Sequence, residues 1–483
     1  MKNKLLSIYR ADKIYLAEWI VAIVTGLFVL LCASTWDTQS LTIWSTNLWD
    51  VIADGKFRDY YAYTAQNIYH VHHSHMGSEL MSVLPWSIWN LPIWIMQRFF
   101  GKPIMGSALM LAYSKLFLVG VTVVMTVFTK KITYLITHDR YKSVLAMFLT
   151  ASSTFIYLTV SYSGQNDIIM MTASVIAVYY LLKNKHGMFL FWSAIAIAIK
   201  PFFILPFVAV LLLAEKSLWK IPVKALIAVS GLALQKLLFN GAPGYKESME
   251  FGPAKDMLKQ MFAANLNTSF GGVSFLAIAL VLIYLYAYTR DFKKDDYADP
   301  NSNVGKYAVY LIAVTYTAYV MFSPFSYYRV ATIVPFIYIV MVQNRTMALY
   351  NGLLDIAMQF ALMMKFVLRG SILFRGDFIN KSVAQRFFGY SVRYKGSDPY
   401  CDIDHYLFQR NDLIEKLQPM FSGVAVVAAV LLLVFNHPEE KIKLKISGDR
   451  HVRVLLWVRM LIIVPFILMT LFLFVKTANK IYP

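Results

Sequence analysis

Long apolar stretches recur along this chain at 17–34, 107–128, 144–160, 223–239, 273–288, 307–322, 330–342, 348–372, 420–435 and 454–475. A further apolar stretch follows the Gly-Gln-Asn-Asp segment at 164–167, and polar stretches part the runs. Runs of this length predict helices in a bilayer. The stretch 188–216 is apolar throughout but carries Lys200-Pro201 at its centre. Read as one span, it would move the basic segments 290–296 and 439–445 to the outer face. Read as two half-length helices meeting at Lys200-Pro201, it keeps every basic loop on one side, and a proline after lysine is a natural break. The broken pair is preferred, and it brings the count to about thirteen membrane helices in a single all-α domain over residues 1–483. Lys2, Lys4, Arg10 and Lys13 hold the N-terminus in the cytoplasm, as a retained signal anchor, and the C-terminus lies outside.

Three outer loops of substance follow, 37–106, 240–272 and 374–419. Within the first, residues 80–101 are apolar but carry Pro85 and Pro92 together with Trp86, Trp89 and Trp94. Tryptophans favour the membrane interface, so this segment predicts a helix lying along the surface rather than through it. No internal repeat or low-complexity segment divides the chain.

Composition agrees with the pattern: 58% of the 483 residues are hydrophobic and 15% charged, and the mean hydropathy is +0.54. The net charge of +19 reads as the cytoplasmic charge bias of a membrane protein and not as a nucleic-acid surface. Cys32 and Cys401, one in the first helix and one in a late loop, suggest neither a disulfide nor a metal site.

Four ionisable side chains fall at or near the outer ends of predicted helices: Asp37, Asp167, Lys200 and Arg329. Charges at such depths are costly and face a cavity or a partner. Two carboxylates and two cations on one side suit a reaction whose donor carries phosphate and whose acceptor gives up a proton. The alternative is a pair of buried ion pairs that hold helices together.

These residues stand in a recognisable order. An aspartate at the end of helix 1 is followed by an aromatic loop with Gly55. Then come Gly-Gln-Asn-Asp, a stretch reading AIAIAIKPF, and SPFSYYR before a late helix. The order resembles the glycosyltransferase C superfamily, and within it the polyprenol-phosphate-mannose-dependent mannosyltransferases of family 87, over residues 20–336. The resemblance implies a multi-pass enzyme of the cell membrane with its active site on the extracytoplasmic face. Such an enzyme moves a hexose from a polyprenyl-phosphate-sugar donor to a glycan or glycolipid acceptor with inversion and needs no cofactor. Asp37 would be the general base, with Asp50, Asp54 and Asp59 as competitors. Lys200 would meet the donor phosphate, with Arg329 as its second ligand. Gln165 and Asn166 would bond sugar hydroxyls, and Asp167 would orient them or pair with Lys200. A lipid-linked-sugar flippase and a polymerase using lipid-diphosphate donors are the rival readings.

One segment departs from the family pattern. His70, His72, His73, His75 and Glu79 fall within ten residues and offer three readings: a zinc or manganese site, contact of His72 and His75 with donor phosphate or sugar, or a solvated turn. Their spacing matches no standard cage.

Overall fold

The computed structural model describes residues 14–32, 36–66, 75–101, 108–251, 255, 257–269, 271–292, 303–323, 327–344, 347–368, 412–439 and 449–465. Within them the chain is all-α apart from one antiparallel hairpin, Asn265–Thr268 with Gly271–Ser274, where the pattern predicts the end of the outer loop 240–272 and the first residues of the helix 273–288. The principal helices are α1 (Leu16–Cys32), α2 (Trp36–Ala53), α3 (Leu84–Phe100), α4 (Ala108–Thr137), α5 (Arg140–Ala151), α6 (Asp167–Leu182), α7 (His186–Ile199) and α8 (Ile204–Ala214). After these come α9 (Lys220–Phe239), α10 (Phe275–Thr289), α11 (Val304–Phe322), α12 (Val334–Gln343), α13 (Ala348–Leu368), α14 (Asp412–Phe435) and α15 (Asp449–Leu461).

Three stretches, Met110–Thr137, Lys220–Phe239 and Lys416–Phe435, are long and apolar enough to cross a membrane, and a bent pair, Arg140–Ala151 with Thr154–Tyr162, would make a fourth. The thirteen membrane helices expected, two of them half-length, are not reached as spans among the described residues. The physical reason is interruption. The run 144–160 bends by 44° at Ser152-Ser153, and the run 330–342 opens with a 3-10 turn, Tyr327–Ile333. Other apolar helices hold 10–17 residues, short of the ~20 that hydrocarbon requires of a straight span. Of the late loop 374–419, residues 374–411 lie outside the described residues, as do the final residues 466–483, while 412–419 are the first turns of α14 rather than loop.

Burial is arranged as lipid exposure would arrange it. Helices α6 and α12 are buried on nearly every side, the mark of a central helix. On α9, by contrast, Leu226, Leu234 and Leu237 are each about two-thirds exposed or more. Apolar surface of this extent marks contact with a membrane or a partner.

The 188–216 segment folds as two helices. Lys200 is extended (φ −147°, ψ 127°) and ends α7, and Pro201 opens the 3-10 turn before α8. The rings of Phe189 and Phe207 stack with centroids 5.6 Å apart, whereas eighteen residues of unbroken helix would separate them by roughly 27 Å. His186 at the start of α7 also lies in the field of Glu215 at the end of α8. The pair therefore doubles back at Lys200.

The aromatic stretch expected as the start of a loop is instead α2, buried over almost its whole length. Three of its hydroxyls bond within the helix: Thr42 Oγ1 donates to the Thr38 carbonyl (2.7 Å), Ser45 Oγ to that of Thr42 (2.5 Å) and Thr46 Oγ1 to that of Ile43 (2.9 Å). It packs on α3 through indole bonds, Trp49 Nε1 to the Ser87 carbonyl (2.7 Å) and Trp94 Nε1 to Asp50 Oδ1 (2.8 Å). The turn after α2 has Gly55 at φ +68°, the helix-ending role that Asp54-Gly55 predicts.

Contacts sort the connections into two groups. One is basic: Lys142 Nζ donates to the Gln343 carbonyl (3.0 Å), Lys216 Nζ to the Tyr288 carbonyl (2.9 Å), and Arg290 pairs with Glu439 (3.0 Å). The other gathers Thr38 with Ser163, Lys200 with Asp167, and Ser323 with Met261.

Candidate functional site

Asp37 stands in the first turn of α2, where the helix dipole favours a carboxylate. Its Oδ2 accepts a short hydrogen bond from Gln165 Nε2. The next residue repeats the link, with Thr38 Oγ1 donating to the Ser163 carbonyl at 2.9 Å. Between them Gly164 adopts φ +60°, and a Cβ there would lie 2.5 Å from Thr38 Oγ1. Only glycine combines that backbone with so close an approach.

The approach depends on a local irregularity. Residues Tyr157–Tyr162 form a π-helical turn, a feature frequent at functional sites. It places the Ser163 amide on the Leu158 carbonyl and the Gln165 amide on that of Thr159, both at 2.9 Å. Lys115, 1% exposed on α4, donates to the Ser161 carbonyl at 2.8 Å and to the Leu30 carbonyl near the end of α1 at 3.2 Å. One ammonium thus ties together the two stretches that bring Asp37 and Gln165 to each other.

Beside this pair, Asp167 begins α6 fully buried, and its Oδ2 accepts a short bond from Lys200 Nζ. Asp167 Oδ1 is buried with no hydrogen-bond partner. Arg329 joins from the turn before α12: its guanidinium lies 4.8 Å from the Phe202 ring centroid, 3.5 Å from the Tyr319 hydroxyl, and in the field of Asp167. Arg329 Nε is likewise buried and unpaired. Lys200 Nζ lies 5.7 Å from the Tyr328 ring centroid, and the Tyr328 carbonyl accepts from Thr159 Oγ1 at 3.1 Å. Two cations therefore share the Asp167 carboxylate, two residues along the chain from Gln165.

The structure brings Asp37, Gln165, Asp167, Lys200 and Arg329 into one neighbourhood, though none is adjacent to all the rest. Asn166 has a different employment from the one expected: Trp86 Nε1 donates a short bond to its Oδ1, and both residues are buried, so its carbonyl oxygen anchors α3 rather than facing a sugar. Asp50 is held by Trp94, by the Tyr63 hydroxyl (3.3 Å) and by Arg98 (4.0 Å). Asp54 pairs with Arg98 at 2.9 Å. Neither joins the neighbourhood of Gln165.

His70, His72 and His73 lie outside the described residues. His75 packs its ring on Phe251 with centroids 5.0 Å apart and joins neither ion pair. Glu79 accepts from the Tyr245 hydroxyl at 3.0 Å, and burial pushes its carboxyl above the usual range against the opposing hydrogen bond and Lys236. Among the described residues no three of His, Cys, Asp and Glu gather as metal ligands would.

Sequence reasoning missed Lys115, Trp86, Thr38, Phe202 and Tyr319. Lys115 left a signal, as a lone charge early in an apolar run. The chain matches no family model, no curated protein and no solved structure.

Proposed function

We propose that this protein is a membrane glycosyltransferase that takes a hexose from a polyprenyl-phosphate donor. The observation that carries the reading is the pairing of two unlike features at one end of the molecule. A carboxylate is held by an amide, Asp37 with Gln165, and next to it stands a cationic pair, Lys200 and Arg329, sharing the Asp167 charge. Asp37 takes the proton from the acceptor hydroxyl as that oxygen attacks the anomeric carbon. The carbon–phosphate-oxygen bond breaks, the lipid phosphate leaves, and Lys200 and Arg329 stabilise its charge. Direct displacement inverts the anomeric centre.

The membrane carries thirteen helices in this reading, with Lys142, Lys216 and Arg290 on the cytoplasmic side and Asp37 on the outer side. Half-length helices such as α7 and α8 then line a cavity open to the outer face.

The test is release of lipid monophosphate by purified protein in proteoliposomes, with a panel of polyprenyl-phosphate hexoses. Release that depends on acceptor supports the reading. A flippase releases none, and a polymerase using lipid diphosphates works only with diphosphate donors.

A further inference from the structure

A second site lies at the basic end, away from Asp37. A cleft of about 90 Å³ is lined by residues of α5, α12, α13 and α15 and opens to the surroundings. Its walls are aliphatic, formed chiefly by Leu145, Leu149, Leu455 and Leu456. Two charged groups in its lining are consumed by each other. Arg459 Nε donates to Asp355 Oδ2 at 2.6 Å, and its remaining nitrogens bind Ser152 and the Leu149 carbonyl. Asp355 also accepts from the Tyr338 hydroxyl (2.9 Å) and Gln359 Nε2 (3.0 Å). A polar ligand gains nothing from a network already complete, while an apolar cavity of this size favours hydrocarbon over water.

The opening has the opposite character. Lys142 lines the cleft and is partly exposed, its Nζ donating one bond to the Gln343 carbonyl (3.0 Å), and it stands two residues from exposed Arg140. The nearby carboxylate, Asp139, is turned back to cap α5 through the amides of Tyr141 (2.8 Å) and Lys142 (3.2 Å). An aliphatic slot with a cation at its mouth, at the end of the molecule facing an anionic leaflet, is complementary to an anionic amphiphile.

We propose that this cleft seats an acyl chain of an anionic membrane phospholipid, its phosphate at Lys142. The proposal rests on the membrane reading but not on the transferase chemistry, so carbonate-resistant membrane attachment of the wild type is established first. Delipidated full-length protein in detergent is then examined by native mass spectrometry with phosphatidylglycerol, phosphatidylcholine and glycerol phosphate as probes. Phosphatidylglycerol should be retained about fivefold better than phosphatidylcholine, the preference that one lysine contributes at an anionic headgroup. Glycerol phosphate should not be retained. Lys142→Gln should abolish the preference, and Ala348→Phe, which places a ring in the cleft, should lower retention of both lipids. Equal retention of the two lipids by wild type, an undiminished preference in Lys142→Gln, or undiminished retention in Ala348→Phe would each overturn the proposal. Should Ala348→Phe fail to fold, the Lys142→Gln comparison decides alone.

Discussion

Gln165 reaches across 128 residues of chain to hold the Asp37 carboxylate. That bond links the start of α2 to the π-helical turn before α6, and it fixes one carboxylate oxygen in place. Gln165→Ala should leave the chain folded and lower turnover about ten- to a hundredfold, the range for a lost hydrogen bond to a charged group. Measuring kcat at saturating donor checks this; wild-type kcat in the variant would mean that Gln165 does not orient the base.

Lys200 and Asp167 separate stability from activity. Lys200→Met leaves the fully buried Asp167 charge without its ammonium and should cost about 3–5 kcal/mol. Adding Asp167→Asn should restore most of that stability without restoring donor use. Melting and turnover, measured on the single and double variants, test both halves. Recovery of activity along with stability would assign the pair a purely structural role.

How much of this was legible in the sequence varies with the range of the interaction. The Lys200-Pro201 break was readable because a proline and a charge in an apolar run are local facts. The convergence of Asp37 with Gly-Gln-Asn-Asp followed from one order of motifs along the chain. Buried clamps elsewhere were not readable: Glu18 meets Arg453 across 435 residues, and Arg459 meets Asp355 across 104. Each of these charges, read alone, looks like the flank of a helix, and nothing local names its partner. The burial of α2 was hidden for a related reason. Its Thr, Ser and Asn residues spoil the apolar pattern, and Thr42 and Ser45 among them are accommodated by backbone carbonyls and by Asn90 of α3.

Gly164 supplies a test of close approach. Gly164→Ala puts a Cβ 2.5 Å from Thr38 Oγ1 at φ +60°. The left-handed backbone alone costs about 1–2 kcal/mol. Gly164→Ala with Thr38→Ala should relieve the clash but not the backbone cost, so the double variant should melt above the single variant and below wild type. A single variant that melts with wild type would contradict the geometry.

Glu79 predicts a pH dependence. Burial raises its carboxyl above 4.5 in the folded chain, so the native state holds a proton that the unfolded state releases. Stability from this group is therefore lost as pH rises from 4.5 through the raised value. Glu79→Gln keeps an acceptor for the Tyr245 hydroxyl and removes the titration, so its melting temperature should gain on wild type across that window. Parallel curves for the two proteins would remove Glu79 from the account.

One substitution tests the proposed role of Asp37 as the base. Asp37→Asn keeps the shape and an oxygen for the Gln165 amide but cannot take a proton. In proteoliposomes with a polyprenyl-phosphate-hexose donor, it should lose about 10²–10⁴-fold in turnover while melting and donor binding stay at wild-type values. Asp50→Asn, in the network of Trp94 and Tyr63, should keep turnover within a few-fold of wild type. If Asp37→Asn retains more than about a tenth of the activity, well short of the loss of a general base, the proton goes elsewhere and the proposed mechanism is wrong.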